Sequence, residues 1–237
     1  IYSIVSATIL GSFILGKSVE ESLRLARANV ENSKLNSTLS LDELASLLGL
    51  SSPPEYIESY DISHTDGADN VAGMIVFKNG VPFKKAYRRF AIKGFDGQDD
   101  YASMAEVIER RILRYFEEKE SGEGFGRLPD LILLDGGKGH VSCVREVLRE
   151  RGIDIPVFGM VKDDFHKTRA LCTEHEEIAI AREQQVFRLI YQIQEEVHRY
   201  SVARMEQAKG KTLTTSSLEK IPGIGKQKAT KLLKAFG

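Results

Sequence analysis

Hydrophobic and polar positions divide the chain into a helical front, a run of strands and a long helical end. Residues 1–16 are apolar and uncharged, which fits a buried strand or a short core helix. Ser18-Val-Glu-Glu21 has the form of a capping box, and amphipathic spacing continues to about Asn32, so a helix is predicted there. A second short helix is predicted over 41–50, ended by Ser51-Ser-Pro-Pro54 because a residue before proline is pushed out of the helical region. Three strand signals follow, at 56–62, 71–78 and 81–92. Asn79-Gly80 joins the last two, and this dipeptide suits a type I′ hairpin turn because both central positions need positive φ. Asp99 caps a helix predicted over 100–118. Residues 131–134 are wholly apolar, as a buried parallel strand should be. A helix over 138–151, a strand over 155–161, an irregular or hairpin stretch over 162–182 and a long helix over 184–209 complete the pattern.

The order β-β-β-α-β-α-β-α predicts an α/β fold with a mixed five-stranded sheet flanked by helices. That is the element order of the ribonuclease H-like fold, an analogy that does not by itself establish function. The composition, 42% hydrophobic and 28% charged over 237 residues, suits a soluble globular protein with a normal core. The formal net charge of -1 conceals an asymmetry. Residues 209–237 carry seven lysines against Glu219 alone, so the tail is strongly basic and the body acidic. Such a tail suits a polyanionic partner, and a solvated lysine-rich helix would read the same way. Cys143 and Cys172 form no C-x-x-C pair, which is ordinary for a reducing compartment. The first 16 residues are too short to span a membrane and lack a basic leader, so a cytoplasmic location with no membrane partner is expected. The chain opens on Ile rather than Met and is expected to be a piece of something longer.

Candidate chemistry lies where hydrophobic stretches run out. In this strand order Asp61 and Asp135 would face each other across one strand spacing, ~4.8 Å. Carboxylates that close repel unless a cation lies between them, and Mg²⁺ or Mn²⁺ prefers such hard oxygen ligands. Taken singly, Asp61 reads better as a strand-end aspartate bonded to loop amides, and Asp135 as turn chemistry in Asp-Gly-Gly. Together they read as a metal pair. Asp100 opens a helix, where it favours the helix dipole, and it could also face the metal. His198 lies in Gln194-Glu-Glu-Val-His-Arg199 with Glu195 on the same helix face, where it could accept a proton, bind a metal or be a plain surface residue. Ile221-Pro-Gly-Ile-Gly225 has the helix-hairpin-helix pattern, in which Gly223 and Gly225 let the backbone approach a phosphate and Lys226 and Lys228 add charge. Gly136-Gly-Lys-Gly139 lacks the frame of a P-loop. Arg88 and Arg89 could meet DNA phosphates or protect a sheet edge.

Six motifs occur in one family's order: Tyr60-Asp-Ile-Ser-His64, Tyr87-Arg-Arg-Phe90, Asp99-Asp-Tyr-Ala-Ser-Met104, Pro129-Asp-Leu-Ile-Leu-Leu-Asp-Gly-Gly-Lys138, Glu195-Glu-Val-His-Arg199 and Ile221-Pro-Gly-Ile-Gly225. Over residues 18–237 the chain resembles the C-terminal half of the UvrC family, the nuclease subunits of bacterial nucleotide excision repair. The resemblance implies a metal-dependent endonuclease that cuts damaged double-stranded DNA on the 5′ side of a lesion, with UvrB as partner and Mg²⁺ or Mn²⁺ as cofactor. It places catalytic positions at Asp61, Asp135 and His198, with Asp100 at a further acidic site. It implies a division into a helical or linker segment (1–54) packing on the nuclease domain, a ribonuclease H-like domain (55–210) and a helix-hairpin-helix element (211–237). The family's tandem hairpin module corresponds here to one hairpin. The family's N-terminal nuclease for the 3′ cut and its UvrB-binding segment have no counterpart in these residues. Glu195 stands where many members have Asp, which leaves its role open. Two rivals remain: a catalytically silent DNA-binding and assembly module, and another ribonuclease H-like nuclease such as a transposase or resolvase. Those nucleases usually carry an acid where this chain has His198.

Overall fold

A computed structural model of the chain describes residues 2–14, 18–65, 68–92, 99–122, 124–163, 168–219 and Lys228. The apolar front is helix α1 (Tyr2–Ile14), and Asn29 of the next helix donates to its Thr8 hydroxyl at 3.0 Å. Ser18 caps α2 (Val19–Leu48) as the capping box predicts, its hydroxyl accepting from the Glu21 amide at 3.2 Å. The two helices expected over 18–50 are one helix of 30 residues. Neither Gly nor Pro interrupts 19–48. Ser37, Thr38 and Ser40, between the two expected helices, donate to the carbonyls of Ser33, Lys34 and Asn36 one turn back. Gly49, at φ 65°, closes the helix in the left-handed conformation. No helix among the described residues is long and apolar enough to cross a membrane.

The sheet is mixed, as expected, but larger than five strands. It comprises β1 (Tyr56–Thr65), β2 (Ala68–Lys78), β3 (Val81–Pro82), β4 (Arg88–Ala91), β5 (Leu131–Leu134), β6 (Val157–Lys162), β7 (Thr168–Cys172) and β8 (Glu177–Ala179). The order is β3-β2-β1-β5-β6-β7-β8, with β4 also paired to β2. β1, β5 and β6 are mutually parallel, and the remaining pairs are antiparallel. The single third strand expected over 81–92 is cut in two. Pro82 has no amide to continue the ladder, and a 3-10 turn at Lys84–Ala86 follows it. The stretch left as irregular or hairpin supplies β7 and β8. Asn79 and Gly80 have φ of 52° and 74°, the positive pair that the turn between β2 and β3 requires.

Helices α3 (Asp100–Glu118) and α4 (Lys138–Glu150) cover one face of the sheet. There Met104, Ile108 and Val144 pack on Tyr60, Met74 and Leu134. Helices α2 and α5 (Gln184–Glu219) cover the other face. Leu44, Ile190, Ile193 and Val197 pack there on Ile57, Ile75, Phe77 and Leu133. Each fully buried aliphatic or aromatic side chain contributes about 1.5–3 kcal/mol, so this sandwich holds the layers at fixed spacing. α5 continues past the expected end at 209, through Gly210, so residue 210 lies inside a continuous helix.

One buried charge pair braces β1 beneath the first core. Glu58 and Arg111 are each 1% exposed. Arg111 Nη2 donates to Glu58 Oε1 at 2.8 Å, and Nε donates to both carboxylate oxygens. The Tyr60 hydroxyl donates to Glu58 Oε2 at 2.6 Å, and the remaining guanidinium protons reach the carbonyls of Phe125 and Arg127.

Candidate active site

The parallel ladder between β1 and β5 runs from Ile57 opposite Leu131 to Tyr60 opposite Leu134. It ends there, with the Asp135 amide donating to the Tyr60 carbonyl at 2.8 Å. Asp135 therefore leaves β5 beside the point where β1 reaches Asp61. Asp61 is not at the end of its strand, as its sequence position suggested. β1 continues to Thr65, paired to β2 alone. Side chains alternate along each strand, which turns both carboxylates toward the face covered by α5. His198 of α5 meets them there, its Nδ1 lying 3.3 Å from Asp61 Oδ2. Asp61, Asp135 and His198 each offer one ligand atom, and these atoms lie within 4.8 Å of one another.

Close approach of α5 depends on Gly73. It pairs with Asp61 across β1 and β2, and a Cβ there would lie 2.3 Å from Ser201 Oγ. The bare glycine lets the Ser201 hydroxyl reach the Asp61 carbonyl at 3.3 Å, one turn beyond His198. A glycine inside a strand signals such contact, but the sequence reading passed over it.

Asp135 has two further partners that sequence reasoning missed. Lys162 Nζ donates to Oδ2 at 2.8 Å, and Gln194 Nε2 donates to Oδ1 at 3.0 Å. Gln194 is held in turn by the Thr168 hydroxyl, which donates to its Oε1. Gln194 and His198 are four residues apart, so they share a helix face. Glu195, expected on that face, is exposed. Burial, and then the charge of Asp61, pushes the Asp135 carboxyl above its ordinary range against the pull of Lys162 and Gln194. Asp61's bond to His198 raises the imidazole, against burial and Lys162.

Asp99 caps α3 as expected, accepting from the Ala102 amide at 3.0 Å. Asp100 is not a member of the three-residue group. Its charge, together with those of Asp135 and Asp61, acts on half-buried His140, so it borders the site. Arg89 lies over the Tyr200 ring and donates to the Tyr200 carbonyl at 2.6 Å. Arg88 donates to the carbonyls of Lys85 and Tyr87. Gly223, Gly225 and Lys226 of the expected hairpin lie outside the described residues, and Lys228 is an exposed helical residue.

The donor set suits a hard divalent cation. It offers two carboxylates and one imidazole, and burial with the neighbouring Asp61 charge makes the Asp135 carboxylate costly to keep charged. The imidazole can be checked without metal. A group whose pKa is raised by folding contributes stability below its unfolded pKa and loses it as pH rises through the folded value. The His198 side chain is 56% exposed, so solvent screening keeps that contribution small. In metal-free protein, the His198 ring should titrate above the ordinary histidine range by NMR. Asp61→Asn should bring the midpoint back down, and a midpoint indifferent to that change would uncouple the two groups.

Residues 45–202 match the family model of the UvrC RNAse H endonuclease domain. UvrABC system protein C of Thermoanaerobacter sp. (strain X514) is 50% identical over 203 residues, covering 82% of this chain and 33% of that protein. The protein of the same name from Caldicellulosiruptor saccharolyticus is 45% identical over 222 residues, covering 91% of this chain and 36% of that protein. The chain thus spans about a third of the length of these curated relatives. Among solved structures, human endonuclease V shares 11% identity at a TM-score of 0.37, over 76% of this chain and 98% of that one. The family model covers both carboxylates, the histidine and the strands that carry them, and by that match the chain belongs to the UvrC RNAse H endonuclease domain family.

Proposed function

We propose that this chain makes the 5′ incision beside a lesion in damaged duplex DNA, as the nuclease part of an excision complex that includes UvrB. The convergence of Asp61, Asp135 and His198 within 4.8 Å carries this reading. Asp61 and Asp135 would hold Mg²⁺ or Mn²⁺. A cation bound there would polarise the phosphodiester and lower the pKa of the attacking water.

The remaining work falls to the chain's own side chains. Gln194, fixed by Thr168, orients the Asp135 carboxylate. Asp61 engages His198 Nδ1, so Nε2 is the nitrogen that accepts the proton of the attacking water. The hydrogen bond to Asp61, and then its charge, raise the His198 imidazole, and a cation that engages the Asp61 carboxylate would weaken both effects and favour the imidazole as a base. Asp100 acts on the edge of the site through its charge rather than as one of the three clustered ligands. The hairpin around Gly223, Gly225, Lys226 and Lys228 would grip the duplex backbone without reading sequence. The tripartite division at 54 and 210 remains part of this proposal, with residue 210 inside α5.

The test is a nicking assay on a lesion-containing duplex, using the whole protein loaded by its partner. His198→Ala should slow the 5′ nick by about 10²–10⁴-fold, the range for losing a general base, and leave the 3′ nick intact. Normal 5′ nicking by that variant would remove His198 from the mechanism.

A further inference from the structure

Lys162 ends β6, the strand next to β5, so Asp61 on β1, Asp135 just past the end of β5 and Lys162 on β6 come from three neighbouring strands. Its ammonium sits on Asp135 Oδ2 at 2.8 Å, while Gln194 holds Oδ1 at 3.0 Å. The two holds differ. Gln194 is 2% exposed and locked by Thr168 and the Met160 carbonyl. The Lys162 side chain is 31% exposed, against 6% for Asp135, so its flexible stem can carry the charge outward. An ammonium and a divalent cation on one carboxylate oxygen repel each other across a short, poorly screened distance.

We propose that Lys162 is a positioning residue that couples metal binding to DNA binding. Without substrate it neutralises Asp135 and competes with the cation for Oδ2. When DNA is bound, the ammonium transfers to a backbone phosphate and leaves the carboxylate to the metal. This rests on the function proposed above and adds to it the order in which the site becomes competent. Gln194 keeps Asp135 in place throughout, so releasing Lys162 does not dismantle the site.

Calorimetric titration of Mn²⁺ into the full chain tests the coupling, with and without a saturating short phosphorothioate duplex that resists cleavage. Without DNA, Lys162→Met should bind Mn²⁺ about tenfold more tightly than the parent, and Lys162→Arg should match the parent. The duplex should tighten Mn²⁺ binding about tenfold in the parent and hardly at all in Lys162→Met, within the usual range of coupling between sites. By reciprocity, Mn²⁺ should tighten duplex binding in the parent by the same factor. Equal or weaker Mn²⁺ binding by Lys162→Met, or equal tightening of both proteins by DNA, would overturn the coupling. Asp135→Asn separates the two failures. If it abolishes Mn²⁺ binding, the metal site stands whatever Lys162 does. If it leaves Mn²⁺ binding intact, the metal site falls, and the role of Lys162 with it.

Discussion

Asp135→Asn should abolish cutting while making the metal-free protein more stable. The carboxylate is nearly buried, and burial together with the Asp61 charge raises its pKa. A carboxyl with a raised folded pKa binds its proton more tightly in the folded state, so the charged form costs stability at neutral pH. The amide is neutral and nearly isosteric, and its oxygen can still accept from Gln194. Removing the charge therefore relieves the repulsion, although the Lys162 ion pair is lost with it. Activity moves the other way. A bound cation stabilises transition-state charge by several kcal/mol, so losing an anionic ligand should cost about 10³-fold or more in rate. A melting scan of metal-free protein near pH 7 should show a higher Tm for the variant, at roughly 2–4 °C per kcal/mol for a chain of this size. The gain should shrink as pH falls and Asp135 takes up its proton in the parent. A lower Tm, or retained cutting, would contradict the account. Stability given up in this way for function is common at active sites.

Arg111→Met should be the most damaging single change to the fold. It strips from Glu58, a carboxylate 1% exposed, its cationic partner among the described residues, and leaves the carbonyls of Phe125 and Arg127 without their donor. Breaking a buried ion pair from one side costs about 3–5 kcal/mol, because the remaining charge stays buried and uncompensated. That corresponds to roughly 6–20 °C in Tm at this size. Adding Glu58→Leu should restore much of the loss, since removing both partners leaves no stranded charge. Urea unfolding of both variants provides the check, and Arg111→Met within about 0.5 kcal/mol of the parent would contradict it. Because Glu58 also accepts from Tyr60, the residue before Asp61, the single variant should loosen β1 beneath the site.

Much of the fold was readable because local chemistry and tertiary structure agree. Asn79-Gly80 specified its turn, and the wholly apolar stretch at 131–134 specified a buried strand. The strand order alone places Asp61 beside Asp135. The readings failed where local signals were ambiguous. The amphipathic spacing fades after about Asn32, yet α2 continues, with Ser37 and Thr38 bonding back within it. Residues 81–92 look like one strand, yet Pro82 ends the ladder. The missed site residues share one cause. Lys162 and Gln194 are unremarkable as residue types, and they acquire meaning only when β6 and α5 bring them onto Asp135. Gly73 alone carried a local signal, as a glycine within a strand.

The central claim is that Asp61 and Asp135 form a divalent-cation site. Anomalous diffraction at the manganese edge, from crystals grown with Mn²⁺ and bound phosphorothioate DNA, tests it most directly. The account predicts a peak ligated by oxygens of both Asp61 and Asp135. A saturated crystal with bound DNA and no manganese between those carboxylates would contradict it.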